Sequence, residues 1–157
     1  MSTSLINDYC QQLTDIMNAD LWLDENFEKK LSQIQKDQVF KRPIPEIHSV
    51  AELLSHLYEW RIDLIGRLKG HPKSIQEDDD QRNWKTNEIL KAAGWENLYN
   101  NFHRSQEEIV SFLKTKDDSY LDEKYPHSDY TYKYLVQGLI HHDCYHLGQL
   151  GLTIKLL

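Results

Sequence analysis

Four prolines, Pro43, Pro45, Pro72 and Pro126, leave most of this chain free of the residue that best breaks a helix. Proline lacks an amide hydrogen, and its ring strikes the preceding helical turn. These positions therefore mark connections. They divide the chain into an N-terminal segment and segments at about 49–69, about 86–116 and about 130 to the end, each long enough for a helix. No segment alternates with period two, and no Asn-Gly or Asp-Gly pair signals a hairpin. The expected fold class is all-α: a four-helix bundle with long connections, one domain over residues 1–157.

The periodicity supports each helix. Leu5, Ile6, Tyr9, Leu13, Ile16 and Met17 recur at three- and four-residue spacing. A break is expected around Asn18–Asp24, with Asp24 capping a continuation through Phe27, Leu31 and Ile34. Ser49-Val50-Ala51-Glu52 is a capping box, in which hydroxyl and carboxylate each satisfy an orphan amide. Val50, Leu53, Leu54, Leu57, Leu64 and Leu68 form the face behind it, and Gly70 then Pro72 stop the helix. Residues 71–83, with Asp78-Asp79-Asp80, read as a solvated loop without the spaced ligands of a calcium site. A short helix is expected over 86–93, broken by Gly94. A longer one holds Leu98, Phe102, Ile109, Phe112 and Leu113, residues 117–129 read as a polar loop, and the last helix holds Tyr134, Leu135, Leu139, Leu147, Leu150, Ile154 and Leu157.

Charge narrows the partners. The chain has 18 Lys and Arg against 25 Asp and Glu, a net charge of -7, with no basic stripe. Nucleic-acid binding through phosphate contacts is not expected. No apolar run approaches the ~18 residues of a membrane span, so no membrane partner is expected. The N-terminus has no basic n-region or apolar h-region, so no signal peptide is read there. Two cysteines, Cys10 and Cys144, make no disulfide framework, and a cytoplasmic location is expected. Cys10 reads as a small core residue.

Eight histidines are the unusual count. On a helix, His142 and His146 are one turn apart and point the same way. Two imidazoles at that spacing can bind one metal ion. Eight histidines placed at random in 157 positions would give about 0.4 such pairs, so spacing alone also fits incidental buried histidines. Leu135, Leu139 and Gln149 share that side, which directs it to the bundle interior, and Gly138 leaves room beside it. Gln149 is placed to orient a ligand or a bound water by a hydrogen bond. His56, at the edge of the apolar stripe of the second helix, is a candidate third ligand; taken alone it reads as a core histidine satisfied by a hydrogen bond. His48, His71, His103, His127 and His141 are assigned no ligand role, and Cys144 lies nearly opposite the His142 face. Asp63 reads as a surface carboxylate, and Tyr58, Trp60, Trp84 and Trp95 as core aromatics or pocket lining.

Two blocks carry a family resemblance. One runs from Asp37 to Gly70, with Gln38, Pro43-Ile44-Pro45, Ser49, His56, Trp60-Arg61 and Leu68-Lys69-Gly70; the other is His142-Asp143-Cys144-Tyr145-His146-Leu147-Gly148-Gln149. Their order and separation resemble the DinB-like superfamily, whose last helix typically carries a histidine, two or three residues, a Tyr-His pair and then Gly-Gln. A tryptophan often precedes the cap serine in that family; here the position is His48. The resemblance implies a four-helix bundle, often a homodimer, with a divalent metal held by His56, His142 and His146. Gly148 and Gly151, away from the ligand side, would permit close helix approach within or between chains.

Three imidazoles leave a coordination position open, as catalytic sites do. Imidazole donors without a carboxylate favour zinc or nickel over iron. Several branches of the superfamily transfer low-molecular-weight thiols such as bacillithiol or mycothiol. The expected function is therefore divalent-metal-dependent transfer of such a thiol to a small electrophile. The alternatives are a metal-dependent hydrolase and a non-catalytic metal-binding protein of a stress response. Against hydrolysis, the residue after His142 is Asp143, about 100° round the helix, and not the glutamate base of the zinc proteases.

Overall fold

The computed structural model describes residues 2–75 and 81–157. The Asp78–Asp80 run lies outside the described residues. Seven helices form among the described residues: α1 Ser4–Asn18, α2 Phe27–Leu31, α3 Val50–Leu68, α4 Asn87–Ala93, α5 Trp95–Leu113, α6 Asp118–Asp122 and α7 Tyr132–Leu156. The only bridge among them is an isolated antiparallel pair, Lys124 with Thr131. The four long helices close a ring, with α3 packed on α5 and α7, and α1 packed on the same two. This is the four-helix bundle that the periodicity predicts. No described helix is long and apolar enough to cross a membrane.

The sequence accounts for α3, the helix that sets the site. Ser49 accepts a hydrogen bond from the Glu52 amide at 3.1 Å, and Glu52 Oε2 accepts from the Ser49 amide at 2.8 Å. The predicted capping box is thus present. Arg42 adds a two-pronged contact to the same carboxylate, at 2.8 and 2.7 Å, which ties the preceding loop to the helix start. At the other end Gly70 adopts φ +85°, a conformation that a side chain disfavours. Between these stops Leu53, Leu54, Leu57, Leu64 and Leu68 are buried. Each contributes about 1.5–3 kcal/mol relative to an exposed side chain.

Several local expectations are corrected. Asp24 does not cap a helix; it sits exposed at φ 53°, and Asn26 caps α2 by accepting from the Lys29 amide at 2.8 Å. Asn26 also donates to the Ala19 carbonyl at 2.9 Å, a second bond that fixes the cap at this residue. The helix ends at Leu31, short of Ile34. Residues 117–129 are not simply a polar loop. They contain α6, whose Tyr120 and Leu121 are buried, and the Tyr120 ring stacks on Tyr132 at 4.3 Å. Residues 71–83 are not solvated throughout, because Ile75 and Asn83 are buried. Asp63 draws the first of these inward. Far from being a surface carboxylate, it is buried, accepts from the Ser74 and Ile75 amides at 2.6 and 3.2 Å, and pairs with Arg67 at 2.8 Å.

Candidate metal centre

His56 lies on α3, while His142 and His146 lie one turn apart on α7. The packing of α3 on α7 brings the three together. One ring nitrogen from each lies within 4.8 Å of the others. His56 Nε2 and His142 Nε2 are 3.0 Å apart. Four-coordinate zinc at about 2.0–2.1 Å from each nitrogen would place its ligands roughly 3.3 Å apart, close to that spacing.

Hydrogen bonds behind the rings select their tautomers. The Asn83 carbonyl accepts from His56 Nδ1 at 2.9 Å. A carbonyl cannot donate, so the proton is on Nδ1 and the Nε2 lone pair faces the other rings. Gln149 Oε1 accepts from His146 Nδ1 at 2.6 Å, with the same consequence for His146 Nε2. Gln149 thus engages His146 through Nδ1 and not through the nitrogen that faces the other rings. His142 Nδ1 is buried without a hydrogen-bond partner. Two lone pairs fixed in this way, beside a third imidazole whose Nε2 is 3.0 Å from His56 Nε2, suit a divalent cation. The residues present thus fit the metal that the family resemblance implies.

Burial, above all, keeps these rings neutral. It lowers the His56 pKa to about 4, although the Asn83 hydrogen bond acts in the opposite direction. It lowers that of His142 to about 3, with the neighbouring His146, His56 and Arg61 adding to the effect. The His146 pKa is also lowered by burial, with Gln149 opposing. A neutral imidazole is the form that binds a metal ion, so protons compete weakly here.

A pH dependence follows for the metal-free protein. Unfolded histidines titrate near 6.5. Between about 6.5 and about 4 the unfolded chain therefore binds more protons than the folded one, and stability rises with pH across that window. The Tm of metal-free protein should fall as pH is lowered from about 6.5 towards about 4, and the fall should be shallower in His142→Asn. A slope identical in wild type and variant would contradict the assignment.

The remaining sequence-predicted residues are also placed. Trp84 stacks on His56 at 4.0 Å and on His48 at 3.8 Å. His48 thus braces the indole that covers His56. Trp60 donates to Asn83 Oδ1 at 2.9 Å, so Asn83 holds both Trp60 and His56. His103 is near the middle of α5, against Tyr99 and Glu28, and His141 is exposed. Cys10 is buried and Cys144 half-buried, neither in a disulfide. A side chain at Gly151 would meet Lys30 of the same chain at 3.3 Å, whereas Gly148 faces open space. The small residue at 151 therefore serves an approach within the chain.

Sequence reasoning missed Asn83, Trp84 as a brace, and a buried ion pair. Arg61 and Asp143 are fully buried and joined at 2.7 Å, one residue from His142. No apolar period runs through residues 83 and 84 to announce the first two. The ion pair had a signal, because each charge occupies a position where its helix's apolar stripe continues on both sides.

A family model described as the DinB superfamily matches residues 22–150, a span that includes all three histidines. No curated protein and no solved structure matches the chain.

Proposed function

The chain belongs to the DinB superfamily, and on that premise we propose that it is a divalent-metal-dependent enzyme transferring a low-molecular-weight thiol to a small electrophile, with zinc or nickel held by His56, His142 and His146. The observation that carries this reading is the makeup of the centre: three neutral imidazoles, with no carboxylate converging on them among the described residues. A divalent ion there supplies the positive charge that favours a thiolate near neutral pH. The thiol releases its S–H proton to solvent, a sulfur lone pair forms the carbon–sulfur bond, and the bond from carbon to the leaving group breaks with its electron pair going to the leaving group.

Hydrolysis would be served by a carboxylate base beside the centre. The carboxylates on the neighbouring turns are engaged elsewhere: Asp143 with Arg61, Asp63 with Arg67, and Glu59 with Lys85. That distribution favours thiol transfer over hydrolysis. Gln149, turned behind His146, leaves the open position free for a substrate and supports an enzyme over a closed structural site.

The test uses untagged protein loaded with zinc or nickel, mixed with bacillithiol, cysteine or glutathione and 1-chloro-2,4-dinitrobenzene. Metal-dependent conjugate formation above the uncatalysed rate, absent in His146→Ala, is the expected result. Stoichiometric metal with no conjugation by any thiol, but with turnover of nitrophenyl esters, would replace this reading by the hydrolase.

A further inference from the structure

A pocket of about 340 Å³ opens between α3 and α7, with His142 in its wall. That is within the range of small-molecule sites. We infer that this pocket receives the electrophile through a flat, apolar body, while the thiol is bound outside it. This rests on the thiol-transfer reading.

The lining carries the inference. Trp60, Leu64, Leu135 and Leu139 form the walls, and Gly138 opens the floor one turn before His142. The indole of Trp60 is fixed by its bond to Asn83 and lies beside His142, at 5.7 Å between ring centroids, with Lys73 Nζ 5.1 Å from the indole centre. Tyr130 and Tyr134 also line the pocket, stacked on one another at 4.3 Å and half exposed. Arg67 brings a cation, but Asp63 neutralises it at 2.8 Å. Small biological thiols carry their sulfur among carboxylates, amines or sugar hydroxyls. Burying such groups without partners costs about 1–3 kcal/mol each. An aromatic or alkyl electrophile has no such cost and gains from contact with Trp60.

Gly138 provides the specific test. A Cβ there would meet nothing within 4 Å, so a side chain enters the pocket without its first carbon striking a neighbour. Gly148 on the same helix is equally open but lies outside the pocket, which makes it the control. Leucine at either position also favours the helix, so both variants should fold.

The probe is 2,4-dinitroaniline, which is flat, aromatic, uncharged and unreactive towards thiols. Its binding to the metal-loaded protein is measured by calorimetry and by quenching of tryptophan fluorescence. Gly138→Leu should weaken binding by at least about tenfold, equivalent to about 1.4 kcal/mol. Gly138→Ala should fall between, and Gly148→Leu should match wild type. Metal content should be unchanged throughout. Equal affinity in Gly138→Leu and wild type would overturn the inference, as would no saturable binding to wild type. Loss of thiol conjugation in wild type, with probe binding intact and sensitive to Gly138, would instead sink the transferase reading and leave the apolar pocket standing.

Discussion

His146→Ala should strip the protein of its metal while leaving the bundle folded. Zinc bound by a full set of protein donors is held by about 10–16 kcal/mol, so one donor among three or four accounts for about 3–5 kcal/mol. Removing it lowers affinity by roughly a hundred- to several-thousand-fold. Metal that survives dialysis in wild type should be lost from the variant. The fold should survive, because His146 makes one side-chain hydrogen bond, to the partly exposed Gln149, and removing it orphans no fully buried group. His56→Ala should lose metal equally but also free the Asn83 carbonyl and the Trp84 stack, so its segment around residue 83 should exchange amide hydrogens faster. Gln149→Leu should cost only about 10–100-fold in affinity, since it leaves every donor nitrogen in place and removes only the group that orients one. Elemental analysis of untagged protein, with helical content followed by circular dichroism, separates these cases. Full occupancy in His146→Ala would remove it from the ligand set.

The same residues show what the sequence made legible. Helices announce themselves through local period, so α1, α3, α5 and α7 were readable, as were the capping box at Ser49 and the stop at Gly70. The i,i+4 geometry of His142 and His146 is also local. His56 was not local: 86 residues separate it from His142, and only the packing of α3 on α7 places their nitrogens 3.0 Å apart. The family resemblance supplied that link, because periodicity carries no information on which buried histidine meets which. Asn83 and the bracing role of Trp84 were not legible for another reason. They act through a backbone carbonyl and a ring face in an irregular segment, where no spacing rule applies. Asp24 was misread because Asp and Asn both suit a cap, and the choice of Asn26 depends on its second bond, to Ala19.

Breaking the Arg61–Asp143 pair on one side should be among the most damaging single changes in the chain. Arg61 follows Leu57 by four residues and precedes Leu64 by three, so it occupies an apolar-stripe position of α3. Asp143 stands in the same relation to Leu139 and Leu147 on α7, after Leu139 by four and before Leu147 by four. Both are fully buried, with the guanidinium 4.1 Å from the Phe102 ring centre. Asp143→Ala leaves that cation without its anion, and Arg61→Ala leaves a buried carboxylate above a cavity. Either should cost about 3–5 kcal/mol, which lowers Tm by roughly 6–20 °C for a chain this size. The pair itself is incompletely satisfied, since Arg61 Nε and Asp143 Oδ1 have no hydrogen-bond partner. The double change Arg61→Met with Asp143→Leu should therefore recover most of the loss, because apolar residues of similar volume often replace a buried pair at little cost. Metal affinity of that double variant then separates two roles. A directional ion pair fixes the rotation of α7 against α3, and thus the aim of His142 at His56, whereas an apolar pair has no direction. Stability near wild type with metal bound at least about tenfold more weakly is the expected result. Metal bound as tightly as in wild type would confine Arg61 and Asp143 to holding the bundle together.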